Sequence, residues 1–163
     1  MWRFVKNVGF TLIVPGTVGV YVPWMLAAPS GGAAALGLGA RQLIAVVPLG
    51  FGAMVYLSCI WEFGVRGRGT PAPFDPPRNL VVWGPYRYVR NPMYLAVALV
   101  VLGWAVFFQS WSLLLYLAVV LACFHLFVLA IEEPSLERHF GAEYHAYRLA
   151  VRRWWPGRPY GSV

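Results

Sequence analysis

The chain has 163 residues, of which 60% are hydrophobic and 12% charged, with a net charge of +7. Soluble domains carry about 25% charged residues, so a chain with half that share is not an ordinary soluble domain. The positive charge does not point to nucleic acid, because no polar module with a basic stripe is there to host it; basic residues flanking membrane spans account for it.

Val8 to Ala28 carries no charge. Arg3, Lys6 and the Leu26-Ala27-Ala28 run resemble a signal peptide, but the apolar stretch is long for one and reads as an uncleaved first span. Pro15 and Pro23 free backbone carbonyls there and predict a bend. Pro29 to Gly39 is rich in Gly, Ala and Ser and reads as an outer loop. Gln42 to Phe63 is the second span. Gly50, Gly52, Ala53 and Ser58 offer small faces for close helix contact, and Trp61 and Phe63 belong to an interfacial belt. Glu62 is one turn from Arg66 and is expected to pair with it, as an interfacial ion pair or as part of a site. Gly64 to Trp83 is polar, and Pro71, Pro73, Pro76 and Pro77 favour extended geometry, either a strap across the membrane face or a spacer. Asn91 to Ile131 has no formal charge with His125 neutral and is twice the roughly 20 residues that one crossing needs. It splits at Gln109-Ser110 into two antiparallel spans, Pro92–Phe108 and Trp111–Ile131, with Pro92 at a favourable first helical position.

The fold class expected is therefore all-α: one integral-membrane domain over residues 1–163, with four transmembrane helices (8–28, 42–63, 92–108 and 111–131), a cytoplasmic loop (64–91) and a cytoplasmic C-terminal tail (132–163) with short interfacial helices. All 13 Lys and Arg residues except Arg41 fall on one side of this topology. The positive-inside rule then puts both termini in the cytoplasm, with a bacterial inner membrane as the expected location.

Beyond Ile131, Glu132-Glu133-Pro134 is expected to end or kink the fourth helix, since Pro134 cannot donate to the carbonyl of Ala130. Ser135 to Phe140 can form about two turns, with Gly141 as a C-terminal stop. Tyr144, Tyr147 and Val151 then recur on one face, with His145, Arg148 and Arg152 off it, as in a short interfacial amphipathic helix. Arg152-Arg153-Trp154-Trp155-Pro156 reads as a membrane-surface anchor. Cys59 and Cys123 lie inside predicted spans without ligand spacing and read as packing residues, so neither a disulfide nor a metal site is expected.

Two polar stretches stand out. Gly84 to Tyr94 holds Arg87, Arg90, Tyr86, Tyr88 and Tyr94 just before and within the third span. Snorkelling arginines and belt tyrosines would also explain it. Glu132 and Glu133 leave the fourth span on the same side. Carboxylates near a membrane interior are costly and often functional, and an arginine-saturated interfacial pair is the alternative. On a straight helix the two acids point about 100° apart. His125 lies about two turns before Glu132, either as a working residue or as a core histidine bonded to a carbonyl. No phosphate loop, nucleophile triad or metal spacing is present.

Arg90-Asn91-Pro92-Met93-Tyr94 resembles the Arg-His-Pro-x-Tyr motif of the isoprenylcysteine carboxyl methyltransferase family. Glu132-Glu133-Pro134-Ser135-Leu136 is similar to its Glu-Glu-x-x-Leu motif, and Phe140-Gly141 with Tyr144 and Tyr147 to its Phe-Gly-x-x-Tyr-x-x-Tyr tail. The superfamily includes phospholipid methyltransferases, and the resemblance covers roughly Leu80 to Pro156. It implies an integral-membrane methyltransferase using S-adenosylmethionine. Asn91, Pro92 and Tyr94, with Tyr86 and Arg90, would frame the cofactor, Glu132 and Glu133 would bind its polar groups, and Tyr144 and Tyr147 would close over it. Asn91 stands where the eukaryotic enzymes carry His; it keeps a hydrogen bond but cannot titrate.

Methyl transfer from a sulfonium needs a donor and an acceptor held in line and dehydrated, not a covalent nucleophile. The expected acceptor is lipophilic: an isoprenylcysteine-like carboxylate, a phospholipid amine, or a small hydrophobic thiol or amine. An amine needs a base, for which Glu132, His125 and Tyr94 are the candidates. A membrane reductase using NADPH and a non-catalytic membrane subunit are the other readings. Membrane lipids are the expected surroundings, with neither nucleic acid nor metal as partner.

Overall fold

The computed structural model describes residues 9, 13–27, 39–67 and 78–161. The expected outer loop at 29–38, the start of the first span and the proline-rich run at 70–77 lie outside them. All regular structure among the described residues is helical. Four apolar helices lie side by side: α1 (Ile13–Ala27), α2 (Ala40–Glu62), α3 (Pro92–Phe108) and α4 (Trp111–Phe127). Two short helices follow, α5 (Glu133–Phe140) and α6 (Ala142–Ala150).

Two stretches are long and apolar enough to cross a membrane, Gln42–Gly67 with 26 residues and Trp111–Phe140 with 30; α1 and α3 are apolar but shorter. α2 turns Leu43, Val47, Phe51, Met54, Leu57 and Trp61 outward. That is a continuous apolar face at helical spacing, which suits contact with lipid rather than water.

α3 is the centre of the bundle. A side chain at Gly52 would place its Cβ 2.7 Å from the Ala96 carbonyl, and one at Gly103 would sit 2.5 Å from Leu49 Cγ. Glycine at both positions lets the backbones of α2 and α3 approach closely, as small residues do between membrane helices. Gly50, on the same helix, meets nothing within 4 Å. These contacts pair early α2 with late α3, so the two helices are antiparallel. Gln109 at φ 51° makes the left-handed turn that sends the chain back into α4.

α1 runs parallel to α3, with Gly19 near Val97 and Val100 and Ala27 packed with Ala105, Phe108 and Leu113. Thr17–Tyr21 is a π-helical turn. Pro23 has no N–H to give Gly19, four residues earlier. The Gly19 carbonyl accepts instead from Trp104 Nε1 at 3.0 Å, and Val18 accepts from the Tyr116 hydroxyl at 2.9 Å. Side chains of α3 and α4 thus occupy the carbonyls that the irregular turn of α1 leaves open.

The acidic stretch does not end the fourth helix. Between α4 and α5 the chain passes through a π-helical turn, Val128–Glu132, in which the Glu133 N–H bonds to the Val128 carbonyl five residues back. The change of hydrogen-bond register accommodates Pro134 at the start of α5, and the helix continues to Phe140. The expected face of α6 is present, but protein covers it: Tyr144, Tyr147 and Val151 are buried against Leu80, with Val82, Leu136, Phe140 and Tyr160 around them. The proline-rich connection starts and returns at one place, since Gly67 accepts from the Arg78 N–H at 2.9 Å and Arg66 from Asn79 Nδ2 at 3.2 Å.

Candidate functional site

The alternating directions of the helices bring the end of α2, the segment before α3 and the start of α5 to one end of the bundle. The segment before α3 opens with a short 3-10 turn, Gly84–Arg87, that has Pro85 in its first positions. The C-terminal tail holds this segment along its length. Arg90 N–H donates to Arg152, Gly157 N–H to Tyr88 at 3.0 Å, and Tyr160 N–H to the Arg87 carbonyl. The Asn91 side chain, instead of capping α3, donates to the Arg153 carbonyl at 3.2 Å. Pro92 is fully buried at the first position of α3.

The two acids leave the helix toward different partners. Glu132 accepts from the Tyr94 hydroxyl at 2.6 Å, linking the π-helical turn to the first turn of α3. The ring of Tyr94 lies against Phe124 of α4, with centroids 4.7 Å apart. Glu133 is buried beyond the end of the apolar run. It accepts from Arg153 through both oxygens, at 2.7 and 2.8 Å, and pairs with Arg90 at 3.1 Å. Burial alone would push its carboxyl up. The fork of Arg153 and the charges of Arg90 and Arg153 outweigh that and hold it below the usual carboxylate range. Arg90 also donates to the Tyr144 hydroxyl at 3.4 Å. Burial, and then the charge of Glu133, push that phenol up, so Tyr144 keeps its proton.

The structure therefore joins Tyr94 to Glu132, and Arg90 to Glu133 and Tyr144, with Asn91 and Pro92 between. Tyr86 and Tyr147 lie deeper. Tyr86 is buried with its hydroxyl against Cys59 and its ring edge-on to Phe63 at 5.6 Å; its carbonyl accepts from the Tyr147 hydroxyl at 2.7 Å. His125 is exposed on α4, and its Nδ1 accepts from Trp154 Nε1 at 3.0 Å. It faces the tail instead of the acids. The Glu62–Arg66 pair forms at 3.2 Å, with the guanidinium stacked 4.6 Å from the Trp83 ring.

Arg153 and Trp154 touch the site, and sequence reasoning assigned them to a membrane anchor. A basic-aromatic run gives no hint that its arginine will turn inward; only the unmatched acid at Glu133 called for a partner. Trp155 is 75% exposed. A cavity of about 410 Å³ lies at the other end of the bundle, lined by Ile44, Ala105, Gln109, Trp111 and Leu114, so it is separate from these acids. Among the described residues no three or more His, Cys, Asp or Glu come together as a metal site.

The sequence has known relatives. An uncharacterized protein of Haemophilus influenzae is 36% identical over 62 residues, which is 38% of this chain and 98% of that protein. No solved structure matches. The profile of a family described as phospholipid methyltransferase matches residues 40–143. The match takes in both polar stretches and the helices that join them, and with well over half of its length inside that profile the chain belongs to the phospholipid methyltransferase family.

Proposed function

We propose that the protein is an integral-membrane enzyme that transfers a methyl group from S-adenosylmethionine to a lipophilic acceptor. The observation that carries this reading is the meeting of the two polar stretches at one end of an apolar bundle, through Tyr94–Glu132 at 2.6 Å and Arg90–Glu133 at 3.1 Å. In this reading the chain is one membrane domain with four crossings. α3 crosses with local thinning of the bilayer or with snorkelling flanking residues, because its 17 residues are about 26 Å long. The concentration of Lys and Arg on one side of that topology supports a cytoplasmic site and cytoplasmic termini.

The residues present suit the cofactor that the family implies. Its amino-acid end carries an ammonium and a carboxylate. The site offers Glu133 for the first, and for the second the Nε of Arg90, which is buried without a hydrogen-bond partner. When bound, the sulfonium supplies the methyl group. Glu133 and Arg90 anchor the polar end, Asn91 and Pro92 fix the segment that frames it, and Tyr144 closes over it. Tyr86 and Tyr147 support that segment from beneath. Glu132, held by Tyr94, faces the apolar interior and is the group placed to take a proton from an amine acceptor. A phospholipid amine is the acceptor that the family description favours; an isoprenylcysteine-like carboxylate or the thiolate of a small hydrophobic thiol would need little base help.

Calorimetry of the detergent-purified protein with S-adenosylhomocysteine tests the reading. Saturable binding by wild type that is lost in Glu133→Ala supports it. Absence of binding, or stabilisation by NADPH instead, refutes it.

A further inference from the structure

Arg153 offers more than the reading above uses. It comes from the irregular segment after α6, and its side chain is 27% exposed, against 9% for Glu133 and for Arg90. Its guanidinium takes both oxygens of Glu133, the carboxylate assigned above to the cofactor's ammonium. Two guanidinium groups thus face one carboxylate, and the Arg90 Nε–H has no acceptor. A buried donor left unpaired is costly, and a second anion would relieve both imbalances.

We infer that Arg153 is a binding residue for the α-amino-acid end of S-adenosylmethionine. The zwitterion inserts between Glu133 and Arg153, its ammonium taking the place of the guanidinium on Glu133 and its carboxylate meeting Arg153 and Arg90 Nε. The Glu133–Arg153 pair gives way to two, ammonium on Glu133 and carboxylate on Arg153, and the orphaned donor gains an acceptor. This rests on the proposed function. Arg153 is the group that moves, because it is the more exposed and stands on a non-helical segment. Its backbone need not follow, since Asn91 holds the Arg153 carbonyl and His125 holds Trp154. No covalent bond forms or breaks.

The test titrates wild type, Arg153→Met and Arg153→Lys in detergent with two probes. One is S-adenosylhomocysteine. The other is 5′-methylthioadenosine, which has the nucleoside and thioether but no amino-acid end. Arg153→Met should bind S-adenosylhomocysteine about tenfold or more weakly, the size of a lost charge-assisted pair, while its affinity for 5′-methylthioadenosine stays within about twofold. Arg153→Lys keeps the charge without the fork and should fall between; it carries the test alone if Arg153→Met does not fold. Equal weakening of both probes would mean that Arg153 only holds the tail in place, and would overturn the inference. So would tighter binding of S-adenosylhomocysteine by Arg153→Met, which would make Arg153 a plug on Glu133 and nothing more. Wild type that binds neither probe overturns the proposed function itself.

Discussion

Replacing Glu133 by Gln keeps the shape of the side chain and removes its charge. In the native arrangement the carboxylate lies 2.7 to 3.1 Å from the nitrogens of Arg153 and Arg90. At an effective dielectric constant of about 20, each such pair attracts by about 5–6 kcal/mol before desolvation is counted. Desolvation cancels much of that, and losing one partner of a buried pair costs about 3–5 kcal/mol net. Because Arg153 can reach water once released, the low end applies, about 3 kcal/mol. For a chain of this size that lowers the melting temperature by roughly 6–12 °C. Glu132→Gln is the internal control. A Gln carbonyl can still accept from Tyr94, so the cost should stay below about 1.5 kcal/mol, or roughly 3–6 °C. Thermal melts in detergent at neutral pH, followed by tryptophan fluorescence, measure both. A Glu133→Gln melt within about 2 °C of wild type, or a smaller drop than in Glu132→Gln, would refute the reasoning.

Gly52→Ala should destabilise by about 1–3 kcal/mol, because its Cβ would lie 2.7 Å from the Ala96 carbonyl and push α2 away from α3. Gly50→Ala meets nothing and should be neutral or up to about 1 kcal/mol stabilising through helix propensity; equal losses in the two melts would contradict the close approach. Trp104→Phe leaves the Gly19 carbonyl without its 3.0 Å donor and should cost about 1 kcal/mol, read as a melting point lower by roughly 2–4 °C. Acid titration probes Glu133. Its carboxyl is lower in the folded than in the unfolded state, so the unfolded chain binds more protons between the two values and stability rises with pH there. The contribution is complete above the ordinary glutamate range, about pH 4.3, and is lost as pH falls through the folded value. Glu133→Gln should flatten that part of the stability curve, and an unchanged acid limb would count against the pairing.

The helices were legible because their signals are local. Pro92 marks the start of α3, and the Gln109-Ser110 break marks its end to the residue. The Glu62–Arg66 pair follows from one-turn spacing. What the sequence hid is decided by partners far along the chain. The carbonyl that Pro23 frees could be foreseen, but not that Trp104, more than eighty positions on, would take it. The apolar face of α6 was visible in the spacing of Tyr144, Tyr147 and Val151; whether lipid or Leu80 would cover it was not. For the same reason the arginine of a surface-anchor run could turn inward unannounced. Periodicity reports that a face is buried, and tertiary structure decides against what.

Glu132 and Glu133 show where a correct local argument stops short. Neighbours on a helix diverge by about 100°, so a shared ligand atom would require a distortion of the backbone. A distortion is present, the π-helical turn Val128–Glu132, yet the acids still part. Glu132 reaches Tyr94 inside the bundle, and Glu133 reaches Arg90 and Arg153. Under the proposed function that divergence allows two different tasks. One carboxylate sits against a phenol, and the proposed function gives it the proton of an amine acceptor. The other sits between two cations, which hold it ionised. Had the pair converged, each charge would have disfavoured the other, and a single strongly acidic and a single weakly acidic group would have resulted in one place. Separate partners give both properties with the two groups adjacent in sequence, and the wide turn before Pro134 lets the helix carry on while it presents them.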